Sequence, residues 1–154
     1  MKSIFVFFMG MVVSLTTLAQ SGVKLLNPST VAKPTGYSHA AEIDLGKSKM
    51  LIISGQVALD AAGKVVGEHD FEQQAEQVFK NIKSIVENSG GSMNDVVKFT
   101  FYLRDVSNIG KVRLVRDRFI NTANPPASTL VEVSDLFRDE FLLEVEATAV
   151  IPKK

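Results

Sequence analysis

The chain contains no cysteine and no tryptophan, and only two histidines in 154 residues. Without thiols there is no disulfide framework, no thiolate nucleophile and no zinc site built on cysteine. His39 and His69 are too few and too far apart for a metal site, so neither a metal nor another cofactor is expected. An excess of one charge is lacking too: 17 Lys and Arg balance 17 Asp and Glu, and the pI is near 6.7. A basic stripe able to neutralise phosphates is therefore absent, which excludes a dedicated nucleic-acid binder. With 45% hydrophobic and 22% charged residues, the chain suits one globular domain with a real core.

Long apolar runs are scarce as well. The main one lies at the start, where Lys2 precedes an apolar stretch from Ile4 to Leu15 and Thr17-Leu18-Ala19 places small residues where a signal peptidase reads. Residues 1–19 are thus expected to be a signal peptide cleaved before Gln20, with a periplasmic or secreted product and no membrane contact after cleavage. The alternative is an uncleaved anchor, for which the run is shorter than the ~20 residues that span a bilayer. Lipid attachment at a mature N-terminal cysteine is excluded.

Residues 20–36 are polar, contain Pro28 and Pro34, and read as an extended lead-in to a domain over 37–154. Ala41, Ile43 and Leu45 alternate with polar residues, and the apolar run from Met50 to Val57 completes a predicted hairpin. Asp70 with Gln73 predicts a capped helix start, followed by Phe71, Ala75, Val78, Phe79, Ile82, Ile85 and Val86 as one apolar stripe that Gly90-Gly91 ends. Val97, Phe99, Phe101 and Leu103 alternate as a half-buried strand, and Ile109, Val112, Val115 and Phe119 mark a second helix over 108–121. Strands are predicted over 129–133 and 143–151. This order gives an α+β domain, a sheet with both helices on one face. Val131 and Leu130 point apolar groups to opposite faces, so self-association is the expected cover for the second face.

Four segments resemble the RidA (YjgF) family of enamine/imine deaminases, also labelled endoribonuclease L-PSP, in order and spacing. They are Gly36-Tyr37-Ser38-His39-Ala40, Ile53-Ser54-Gly55-Gln56, Val96-Val97-Lys98 after the first helix, and Asn124 to Val133 followed by Glu144-Val145-Glu146-Ala147. The resemblance covers Tyr37 to Ile151. It implies a chorismate-mutase-like subunit, a mixed sheet with two helices packed on one face, that forms a homotrimer with small-molecule clefts between subunits. By position, Tyr37 resembles the family's cleft tyrosine, Ser54 the serine of its SGQ strand, and Glu144 the acid that positions the attacking water. Three positions depart. Ser128 stands where the family has an arginine that holds the substrate carboxylate, Leu130 replaces a frequent Cys or Thr, and Ser107, beside Asn108, stands where many members have asparagine.

The resemblance implies a hydrolytic deaminase of small reactive imines or enamines, with Glu144 catalytic and Tyr37, Ser54, Ser107 and Ser128 facing the substrate. Serine cannot grip a carboxylate as arginine's two charge-assisted hydrogen bonds do, so substrates without an α-carboxylate are expected. Arg104, Arg113, Arg116, Arg118 and Arg138 are the cations that could replace it. From a different class comes the alternative of a non-catalytic, metabolite-binding trimer. An RNA substrate ranks last, given two histidines and no basic patch.

Overall fold

The computed structural model describes residues 22–153, so the leader read over 1–19 lies outside the described residues. The elements run β1 (Val23–Leu26), β2 (Ala40–Asp44), β3 (Ser48–Gln56), α1 (Phe71–Asn88), β4 (Val96–Leu103), α2 (Ile109–Arg116), β5 (Ala127–Glu132) and β6 (Leu143–Pro152). One mixed sheet results, in the order β1-β2-β3-β6-β4-β5, with β4 and β5 its parallel pair. A parallel pair needs a crossover, and α2 lies within it.

Alternation in β6 sets the two faces of the sheet. Leu143, Val145, Ala147, Ala149 and Ile151 are buried on one face, while Glu144, Glu146, Thr148 and Val150 are half-buried on the other. The stripe of α1 packs on the first face, with Phe79 wholly buried among Phe99, Phe101 and Phe119 at ring-centroid distances of 5.5, 6.3 and 5.3 Å. Val112 and Val115 of α2 join the same cluster. Burying each such side chain stabilises the fold by about 1.5–3 kcal/mol. The other face leaves Ile52 48% and Val131 40% exposed.

The α+β arrangement with both helices on one face is the one expected, and four local expectations are corrected. Val97 does not share the buried side of β4: the pairing with β6 shifts between Val96 and Lys98, and the bulge buries Val96 while Val97 is exposed. The second helix stops at Arg116 instead of reaching residue 121. There the amides of Arg118 and Phe119 bond three residues back, to the Val115 and Arg116 carbonyls, tightening the chain so that Phe119 turns onto Phe79. Within the lead-in, Val23–Leu26 pairs antiparallel with β2 and forms the edge of the sheet. At Asp70 the carboxylate accepts from the Gln73 amide N–H at 3.1 Å, as a cap should. Gln73's side chain donates to that same carboxylate at 2.7 Å, because the Asp70 backbone N–H is already bonded to the Gly67 carbonyl.

Candidate active site

Strand β3 carries one extra residue against β6: Ile53 pairs with Ala147 but Gln56 with Val145. This bulge brings Gly55 beneath the side chain of Glu144. A Cβ at position 55 would lie 1.7 Å from Glu144 Oε1 and 2.6 Å from its carboxyl carbon. Glycine is therefore required for Glu144 to lie where it does. The bulge re-aims side chains and ends regular pairing at that point, a common arrangement beside binding sites.

Tyr37 and Ser54 stand next to this acid. Ser54 Oγ donates to the Ser38 carbonyl at 2.7 Å, and the Ser54 amide donates to the His39 carbonyl at 2.9 Å, so β3 fixes the segment that carries Tyr37. Behind them His39 is buried, its Nε2 donating to the Ala32 carbonyl at 2.6 Å and its Nδ1 accepting from the Gln56 side-chain amide at 3.3 Å. Gln56 Nε2 also donates to the Ser54 carbonyl at 2.9 Å. With both ring nitrogens engaged, His39 supports the wall, and its ring edge meets Tyr37 at a centroid distance of 5.5 Å.

The cleft above these residues has a volume of about 430 Å³. Thr35, Tyr37, His39, Ser54, Gln56, Asn81 and Glu144 supply its polar lining, and Ala32, Val57, Leu59 and Phe137 its apolar lining. Among the described residues neither Lys nor Arg lines it. Burial pushes the Glu144 carboxyl above the usual carboxylate range and nearby Glu146 adds to this, while no hydrogen bond from a described residue offsets it. Burial, and then the charge of Glu144, raise the Tyr37 phenol, which keeps it a hydrogen-bond donor near neutral pH. Glu146 differs from its neighbour because it accepts from the Tyr102 hydroxyl at 3.0 Å.

The sequence profile of the endoribonuclease L-PSP family matches residues 28–151. A RutC family protein of Pyrococcus abyssi is 36% identical over 118 residues, 76% of this chain and 88% of that protein. The 2-iminobutanoate/2-iminopropanoate deaminase of Salmonella typhimurium is 37% identical over 110 residues, 70% of this chain and 83% of that enzyme. Among solved structures, RidA from the Antarctic bacterium Psychrobacter sp. superposes with a TM-score of 0.72 at 33% identity, covering 83% of this chain and 99% of that one. The chain belongs to the RidA/YjgF family. Its subunit has the chorismate-mutase-like fold of that family.

Of the site residues expected from the RidA resemblance, Tyr37, Ser54 and Glu144 meet in one cleft, and Ser107 and Ser128 do not line it. Ser107 lies in the turn after β4, where its amide donates to Asp105 Oδ1 at 2.8 Å. Ser128 is exposed on the edge strand β5, in register with buried Phe99, which places it toward the helix-bearing side of the sheet and away from the face of Glu144. Leu130 also points to the helix side, against the core. The arginines considered as replacement cations are placed elsewhere. Arg104 Nη2 pairs with Asp135 at 3.1 Å, Arg116 with Asp117 at 2.7 Å, Arg118 with Glu76 at 3.2 Å and Arg138 with Glu140 at 2.7 Å, while Arg113 is exposed on α2. Among the described residues no group of three His, Asp or Glu side chains converges as a metal site would require.

Gln56 and Gly55 were legible only as part of a motif. Their roles depend on the bulge, which a single sequence does not announce. Phe137 was not anticipated, because an isolated aromatic in a polar loop has no periodicity to assign it a face.

Proposed function

We propose that this chain is a hydrolytic deaminase of small imines and enamines that lack a carboxylate, working as a homotrimer. The observation that carries the reading is Glu144: a half-buried carboxyl with a raised pKa and no partner among the described residues, seated over Gly55 in a cleft that Tyr37 also lines. Raising a carboxyl above the usual carboxylate range makes it a better proton carrier, and imine hydrolysis needs a group that both accepts and returns a proton. Water attacks the iminium carbon and a C–O bond forms while Glu144, as carboxylate, accepts the water proton. The resulting acid passes that proton to the nitrogen, the C–N bond breaks, and ammonia leaves with the hydroxyl proton as ammonium while the carbonyl product forms. Tyr37 donates to the developing carbinol oxygen.

Three further observations support the reading. Relatives of this length and fold include a protein named as a 2-iminobutanoate/2-iminopropanoate deaminase. Among the described residues of one subunit no Lys or Arg lines the cleft, so this subunit brings no cation to a carboxylate or a phosphate there. The open sheet face leaves Ile52 on β3 and Val131 on β5 exposed, apolar side chains that a second copy would cover. The leader read over residues 1–19 supports export; N-terminal mass analysis of the protein from its host is expected to begin at Gln20.

The test is ammonia release above the buffer rate. Imines are generated in place by an amine oxidase, giving neutral substrates, and by an amino-acid oxidase, giving carboxylates. Acceleration is expected with the first set, falling about a hundredfold or more in Glu144→Ala. Buffer rates for both sets, unchanged by the substitution, reject catalysis and leave ligand binding as the function.

A further inference from the structure

One large apolar side chain at the cleft has no role in the deamination steps. Phe137 lines the cleft while remaining 69% exposed. Exposure of a single apolar side chain is ordinary by itself; what sets Phe137 apart is its place in the lining of the cleft that holds Glu144. The loop beneath it is tied down. Phe141, wholly buried, meets the Phe137 ring at a centroid distance of 5.0 Å, and the Arg138 guanidinium covers Phe141 from 5.0 Å. Gln74 of α1, also wholly buried, holds the same loop from below: its Nε2 donates to the Glu140 carbonyl at 2.6 Å and its Oε1 accepts from the Leu142 amide at 2.9 Å. From the opposite side Arg104 donates to the Asp139 carbonyl at 2.6 Å and pairs with Asp135. A loop braced at Asp135, Asp139, Glu140 and Leu142 presents Phe137 in one place.

The ring therefore shares with Glu144 a cleft whose apolar lining is otherwise Ala32, Val57 and Leu59, with Thr35 and Asn81 among its polar groups. A ligand with its polar carbon at Glu144 has Ala32, Val57, Leu59 and the Phe137 ring available to its substituent. From this geometry we infer that Phe137 is the specificity-determining residue of the cleft, and that the substrates are uncharged imines bearing an aromatic or comparably bulky hydrocarbon group. The inference rests on the deaminase reading and goes beyond it by naming the substituent. Aromatic pairs prefer edge-to-face or offset contact, which adds to the burial of area on both rings. A small aliphatic imine reaches Glu144 without touching Phe137 and gains nothing from it.

Two imines supplied by one amine oxidase test this, benzaldimine from benzylamine and the aliphatic imine from propylamine. For the native protein, kcat/KM is expected to be higher for benzaldimine. Phe137→Ala should lower it about tenfold for benzaldimine and leave the aliphatic imine within about twofold, while Phe137→Tyr, which keeps the ring, should restore the preference. Equal losses for both imines in Phe137→Ala, or no loss for either, overturn the inference. Should the native protein accelerate neither imine, the deaminase reading fails by itself, and calorimetric titration with acetophenone, acetone and benzoate then decides the specificity. Tighter binding of acetophenone than of the other two, weakened about tenfold in Phe137→Ala, supports Phe137 as the selecting group. Absence of that preference, or its persistence without the ring, overturns it.

Discussion

At the scale of single residues, Glu144 and Gly55 form one unit. The carboxyl of Glu144 has a folded pKa above its unfolded value, because burial and Glu146 disfavour its charge. Its contribution to stability is therefore fully present below the unfolded pKa and is lost as pH rises through the folded one, so at neutral pH the ionised group weighs against folding. Glu144→Gln removes that burden. Scanning calorimetry should find the mutant melting a few degrees above the native protein at pH 8, with the difference closing toward zero at pH 4. The reverse trend would show that the carboxylate is stabilised where it sits. Gly55→Ala tests the other half: the new methyl occupies the place of Oε1, and Glu144 can swing aside because it is the free end of a flexible side chain. The melting temperature should change little, yet deamination should fall about a hundredfold, since displacing a catalytic group by about an ångström has that effect. A stable variant of full activity would remove Glu144's position from the mechanism.

At the scale of elements, the site depends on how α1 meets the loop before β6. Gln74 lies on the buried face of α1, where an apolar residue is the rule, because its amide completes the hydrogen bonds of a chain that has left the sheet. Gln74→Ala would leave the Glu140 carbonyl and the Leu142 amide unpaired below the surface. Each orphaned group costs about 1–3 kcal/mol, so a loss of about 2–6 kcal/mol is expected in denaturant titration. Hydrogen exchange should localise the change, with the Leu142 amide losing protection well before the amides of β6. Uniform loss across the sheet would instead mean that Gln74 supports the core as a whole.

For the whole molecule, the geometry of β5 bears on assembly. Ser128 is on the edge strand and toward the helix side, whereas Glu144 is on the open face. Within a single subunit they do not share a cleft. If position 128 faces a substrate, the Glu144 it serves belongs to a neighbouring subunit, which the proposed trimer supplies. Ile52, at the centre of the open face between Ala41 and Thr148, is the place to break that assembly. Light scattering of the native protein at micromolar concentration should give the mass of three chains, and Ile52→Lys should shift it toward one, because a charge buried without a partner in an apolar interface is strongly unfavourable. A monodisperse native monomer would sink the trimer.

Periodicity in the chain alone determined the α1 stripe, the alternation of β6 and the position of Glu144 on the face opposite the core, because burial acts on side chains at the repeat of their own element. The words around Tyr37, Ser54 and Glu144 likewise carried the family. What the chain by itself left open depends on pairing across strands: the bulge that exposes Val97, the bulge that slides Gly55 under Glu144, and the side of the sheet to which Ser128 turns. A one-residue slip in register exchanges faces without altering composition or period. Phe137 and Gln74 depend on tertiary structure for the same reason, since their roles are set by contacts with chain distant in sequence, and only the folded arrangement brings that chain within reach.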